Sequence, residues 1–185
     1  MTTRRLIRPI IQSAAVIIIV VAALSVLKNQ LGRSAKPMNT ATLQGETPLP
    51  ELEIKEFGKD HVRLAGFKAK VILINFWATW CEACMVEMPS IVKLWKTYKD
   101  RGFDVIAMNV DENPDASVPG AVKKFGIEFP VYTDQSSRLA EILGVNAIPF
   151  TAIIDSNRKV LYVENGERDW FGSDVRAQLE KWLAR

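Results

Sequence analysis

Asn75-Phe76-Trp77-Ala78-Thr79-Trp80-Cys81-Glu82-Ala83-Cys84 closes an apolar run that begins at Val71, and it carries the only two cysteines of the chain. Val71 to Phe76 has the continuous apolar character of a strand covered on both faces. Beyond the cysteines, Met88, Ile91, Val92 and Trp95 recur at helical spacing, which predicts a helix from about Cys81 to Tyr98. The pair therefore falls on a strand-to-helix turn. Two intervening residues let a small disulfide close, and when it is open the positive end of the helix dipole favours thiolate. Glu82 opposes thiolate at Cys81 through like charge, an effect that solvent screens. Pro89 removes one helical hydrogen bond and predicts a kink behind the redox turn.

Other chemistries are weighed against this one. Structural zinc normally needs four ligands, and two cysteines with one distant histidine, His61 in a polar hairpin, do not supply them. A purely structural disulfide gains little from so short a loop. Met85 and Met88 beside the thiols suit copper(I), although Met88 has the spacing of a core residue. No resident metal or cofactor is expected. Trp77, Trp80 and Phe150 are expected to line an apolar rim of the redox site, with Trp95 and Trp182 in the core.

With 185 residues, 48% of them hydrophobic, the chain accommodates one membrane segment and one domain with a full core. Its net charge of +3 is spread over interspersed lysines, arginines and acids, without a basic stripe, which argues against nucleic acid as a partner. Pro9 to Leu27 is apolar apart from Gln12 and Ser13. At about 1.5 Å per helical residue it nearly matches a hydrocarbon core of about 30 Å. The chain accordingly divides into a cytoplasmic tail (1–8), a transmembrane signal anchor (9–27), a linker rich in Ser, Thr, Gly and Pro (28–48) and a folded domain (49–185). Arg4, Arg5 and Arg8 precede the anchor, but Lys28, Arg33 and Lys36 follow it, so orientation rests on the oxidising side being the place for the cysteine pair. Cleavage of a signal peptide at Ala23-Leu24-Ser25 is the competing reading.

Within the domain, Leu52 and Ile54, then Val62 and Leu64, alternate around the turn Phe57-Gly58-Lys59-Asp60 and predict a hairpin. Phe103 to Val110 reads as a second buried strand, followed by an acidic loop and a helix over about Val118 to Phe125. Phe129 to Tyr132 reads as an edge strand, because proline is tolerated there. Ser137 to Leu143 predicts a helix stopped by Gly144. Thr151–Ile154 and Lys159–Val163 predict two strands, and Ser173 is the candidate N-cap of a last amphipathic helix. This order describes an α/β domain with a mixed sheet.

The stretch from Asn75 to Cys84, with Pro89 behind it and Ile148-Pro149 far downstream, resembles the thioredoxin superfamily over about Leu49 to Arg185. Within it, the leading hairpin and the insertion between Asp111 and Thr133 are similar to the membrane-tethered, extracytoplasmic TlpA/ResA group of thiol-disulfide oxidoreductases. The resemblance implies a thioredoxin fold with an N-terminal β-hairpin and a central insertion, preceded by one transmembrane helix. It implies a cis Pro149 in the groove that receives the partner, and an Ile148 backbone that bonds an extended partner segment. Thioredoxin has a buried aspartate where this chain has Asn75. The resemblance offers Glu87, three residues after Cys84 on the same helix face, as the substitute, against the reading of an ordinary solvated carboxylate.

Cys81 is then the expected attacking sulfur, Cys84 the resolving one and Glu87 the acceptor of the Cys84 proton, with Trp80, Glu82, Ala83, Ile148 and Pro149 meeting the partner. Ala83 stands where this family commonly has proline, which leaves the reduction potential open. The implied function is a protein thiol-disulfide oxidoreductase on the periplasmic side of a bacterial inner membrane. It would be recharged by a membrane thiol transporter and would reduce disulfide-bearing extracytoplasmic clients of the cytochrome c or copper-site maturation type. Phe150-Thr151 lacks the glutamate of dedicated cytochrome c members. A copper(I) chaperone and a thiol peroxidase are the alternatives.

Overall fold

In a computed structural model, residues 48–134 and 136–185 are described. The anchor expected at 9–27 lies outside them, as do the tail before it and linker residues 28–47. Among the described residues no helix is long and apolar enough to cross a membrane.

The hairpin forms as β1 (Glu53–Glu56) and β2 (His61–Arg63), and it leads into β3 (Val71–Trp77), every residue of which is buried. Then follow α1 (Glu82–Tyr98), β4 (Phe103–Asn109), α2 (Pro114–Phe125), β5 (Val131–Thr133), α3 (Arg138–Leu143), β6 (Phe150–Asp155), β7 (Val160–Asn165) and α4 (Ser173–Leu183). The seven strands form one sheet in the order β2-β1-β5-β4-β3-β6-β7. Only the β3–β4 and β4–β5 pairings are parallel, each connected through a helix, as parallel neighbours require.

The continuous apolar run of β3 has a two-sided cause. Val71, Leu73 and Trp77 face a cluster roofed by α1, α2 and α4, while Ile72, Ile74 and Phe76 face a second cluster covered by α3 and the hairpin. β3 thus lies at the centre, and its C-terminal end delivers the chain to the cysteine turn.

Three expectations are corrected. The segment at Phe129–Tyr132 is not an edge strand: β5 lies between β4 and β1, because the hairpin pairs with its free side through Lys55–Thr133 and Glu56–Tyr132. Pro130 is accommodated just before that strand, where no ladder bond is demanded of it. The helix expected over 118–125 starts at Pro114, whose fixed φ and missing N–H suit a first helical position. At the last helix Gly172, not Ser173, occupies the N-cap, and Ser173 is the first helical residue. A Cβ on Gly172 would stand 2.8 Å from an Asp174 carboxylate oxygen and 3.1 Å from the Asp169 carbonyl, so a side chain there would displace the Asp174 carboxylate.

Candidate active site

Cys81 is the N-cap of α1, and its sulfur accepts the Cys84 amide N–H at 3.2 Å. The two cysteines form a disulfide with their Cα atoms 5.3 Å apart. Cys81 retains 8% exposure and Cys84 none, while Trp80 beside them is 70% exposed. The expected rim is narrower than the sequence suggests. Trp77 and Phe150 point into the two cores, because they belong to strands covered on both faces, and Trp80 alone of the three meets solvent. Trp182 is buried as expected, and Trp95 is half-buried, its indole N–H donating to Asp104 Oδ1. Met88 is in the core, Met85 half-buried and His61 exposed. Glu82 is exposed and Ala83 half-buried at the turn.

The turn is held from behind by Asp111, which follows β4. Its carboxylate accepts from the Thr79 amide and hydroxyl at 3.0 and 3.1 Å, from Asn109 Nδ2 at 2.9 Å and from Ser117 Oγ at 2.8 Å. One acid so ties the approach to Cys81 to both β4 and α2.

The Ile148-Pro149 peptide is cis, and Pro149 is buried. Phe150 pairs with Phe76 across β6 and β3, so Pro149 enters the sheet at the end where β3 leads to the cysteines. Its carbonyl accepts the Gly166 amide at 2.9 Å, and Ile148 is half-buried between the two clusters.

Glu87 is not a solvated carboxylate: it is 2% exposed. Asn75 Nδ2 donates to its Oε1 at 2.8 Å and to Thr151 Oγ1 at 2.9 Å. Its Oε2 accepts the Trp170 indole N–H at 3.1 Å and the Arg168 amide at 3.2 Å. Burial pushes its pKa up to about 7. Bonds from Trp170, Asn75 and the Arg168 amide oppose that rise, and the nearby Glu167 adds to it. A cavity of about 360 Å³ lies between α1 and the loop preceding α4, lined by Glu87 with Val86, Pro89 and Ser90 on one side and Glu167, Arg168 and Asp169 on the other. The arrangement provides a redox pair at a helix start and a carboxyl poised to exchange protons near neutral pH.

The Redoxin family matches residues 44–179. The chain belongs to the Redoxin family. ResA, a thiol-disulfide oxidoreductase of Geobacillus thermodenitrificans, is 33% identical over 142 residues, 76% of this chain and 79% of that one. ResA of Bacillus thuringiensis subsp. konkukian is 32% identical over 136 residues, 74% and 75% of the two chains. A thiol:disulfide interchange protein of the thioredoxin family from Chlorobium tepidum superposes with a TM-score of 0.62 at 29% identity, covering 72% of this chain and 96% of that one. StoA of Bacillus subtilis, 17% identical with a TM-score of 0.57 over 75% and 98% of the two chains, shares the fold. The domain is thus a TlpA/ResA-like member of the thioredoxin superfamily and a protein thiol-disulfide oxidoreductase.

Cys81, Cys84 and Glu87 stand on one turn and one helix, with Asn75 on β3 and Ile148-Pro149 leading into β6. The sequence did not single out Trp170, Arg168, Thr151 or Asp111. The only local signal was the aromatic pair Trp170-Phe171 directly after the polar run Gly166-Glu167-Arg168-Asp169.

Proposed function

We propose that the protein is an extracytoplasmic reductant, tethered to a bacterial inner membrane through 9–27 with its domain in the periplasm. The observation that carries the chemistry is the asymmetry of the pair: Cys81 at the exposed helix start beside Trp80, Cys84 fully buried one turn before Glu87. In the dithiol form, Cys81 thiolate attacks one sulfur of a client disulfide, and the other client sulfur leaves with the electron pair. Cys84 then passes its proton to Glu87 and attacks Cys81 Sγ, breaking the mixed disulfide and releasing the second client thiolate. The client gains two electrons, and the enzyme is left with the Cys81–Cys84 disulfide. A membrane thiol donor reverses the exchange. Clients of the cytochrome c or copper-site maturation type fit this reading, with Trp80, Glu82, Ala83, Ile148 and Pro149 assigned to meet them.

Trapping tests it. Cys84→Ser, expressed in the full-length chain, should accumulate client mixed disulfides through Cys81, and these should vanish in Cys81→Ser. An empty trap counts against the reductase. Tight copper(I) binding, with function retained when oxidation is blocked, would favour the chaperone. Robust peroxide turnover without a dithiol partner would favour the peroxidase. For Glu87, a resolution rate and pH dependence unchanged in Glu87→Gln would exclude the proton-acceptor role.

A further inference from the structure

We propose that Trp170 is a positioning residue of the thiol-disulfide reaction, its indole N–H holding Glu87 Oε2 and so setting the orientation and ionisation of that buried carboxyl. The inference rests on Glu87 as acceptor of the Cys84 proton and deepens it by naming what tunes the acceptor.

Trp170 lies 83 residues from Glu87 in sequence and is fully buried, with its ring edge-on to Tyr162. Its backbone is fastened to the same helix turn: the Trp170 amide donates to Ser90 Oγ at 2.9 Å, and that hydroxyl donates to the Glu87 carbonyl at 2.7 Å. Ser90 therefore bridges the backbones of the two residues whose side chains also meet. Indole nitrogen is a donor only, so the contact favours carboxylate over carboxylic acid at Oε2. Among the bonds that keep Glu87 ionisable despite its burial, this one is the largest influence.

The remaining surroundings leave that role to a neutral donor. β3 and β6 present uncharged Asn75 and Thr151, and α1 contributes Cys84 one turn earlier. From the loop before α4, Glu167 raises the carboxyl pKa and Asp169 adds a second acid to the cavity. The Arg168 guanidinium is engaged with Glu164 and Asp174, so that residue meets Glu87 through its amide. The bonds to the Glu87 carboxyl from Asn75, Trp170 and the Arg168 amide thus come from neutral groups, and the indole N–H is its side-chain clamp on Oε2.

Trp170→Phe keeps an aromatic ring and removes only the donor. Glu87 ionisation is read by carboxyl ¹³C NMR, and the resolution step by single-turnover kinetics across pH in the full chain. The midpoints of both should move up by about one unit, the scale of one lost hydrogen bond to a charged group. In the Glu87→Gln background the substitution should leave the kinetic pH profile unmoved. Ser90→Ala, a smaller change that loosens the Trp170 backbone, should shift the Glu87 midpoint in the same direction by less, and it supplies the test if Trp170→Phe does not fold. A Glu87 midpoint unmoved in the folded variants overturns the inference, as does an equal kinetic shift with and without Glu87. If Glu87→Gln alone leaves the profile unchanged, the proton-acceptor role fails instead, while the NMR midpoint still decides whether Trp170 sets the ionisation of Glu87.

Discussion

Ionisation of Glu87 costs stability near neutral pH. Between pH 4.5 and about 7 its native carboxyl holds a proton that the unfolded chain has already released. The native state binds more protons over that window, so stability falls as pH rises through it, by about 3 kcal/mol for a shift of this size. Glu87→Gln should therefore be more stable than the parent above pH 7, with the gap closing towards pH 5, as read by urea unfolding of the oxidised domain. The amide fits the site. Its oxygen can accept from Trp170 and Arg168, and Asn75 can turn over to present Oδ1, which has no hydrogen-bond partner among the described residues. A gap that persists unchanged at pH 5 would show that the cost is not one of ionisation. A buried carboxyl whose ionisation costs stability agrees with its working as a proton acceptor.

The junction of β3 with β4 depends on one backbone position. Gly102 takes φ +92°, and its carbonyl accepts both the Lys70 and Val71 amides at 2.8 and 3.1 Å, setting the first rung of the parallel pair. A Cβ there would lie 3.2 Å from Lys70 Cγ in a conformation that L-residues avoid. Gly102→Ala should cost about 1–2 kcal/mol in denaturant unfolding, and an unchanged midpoint would contradict this account. The same element shows what periodicity conveys. The lengths of β3, β4 and α1 follow from runs and spacings within each segment, and they match the expected elements closely. The early start of α2 was obscured because Pro114 reads as part of the acidic loop, although a proline at the first helical position is well tolerated.

Across the molecule, β7 and α4 are joined by a buried ionic network. Arg168 reaches Glu164 at 2.7 Å, Tyr162 Oη at 3.1 Å and Asp174, with the Arg168 and Glu164 side chains 8% and 7% exposed. Tyr162 donates to Glu164, and burial first, then that acid, hold its hydroxyl well above the usual tyrosine range, so it remains a donor. Arg168→Met should destabilise the domain by about 3–5 kcal/mol, because Glu164 and Asp174 would keep their charge without the guanidinium. Arg168→Lys should recover only part of this, since an ammonium cannot reproduce the fork. Urea unfolding of the two variants checks both, and equal stability of Arg168→Met and the parent would refute it. The network also presents the Arg168 amide to Glu87, so scaffold and redox helix share a segment.

That Cys81, Cys84 and Glu87 share one turn and one helix face was legible from the chain alone because their relation is local, whereas the role given to Glu87 came from the family resemblance. Two residues between sulfurs and one helical turn to the acid are spacings that dihedral geometry converts directly into shared position. The buried character of β3 was legible for a similar reason: an unbroken apolar run is what two covered faces demand. Folding alone disclosed that β5 is interior and that Asp111 braces the turn. It also disclosed the burial of Glu87 and its clamping by Trp170, Arg168 and Asn75. Those facts depend on which distant segments pair and which side chains meet across the core. Such pairings are selected by the joint burial of the whole sheet and its helices, which no single stretch of sequence specifies.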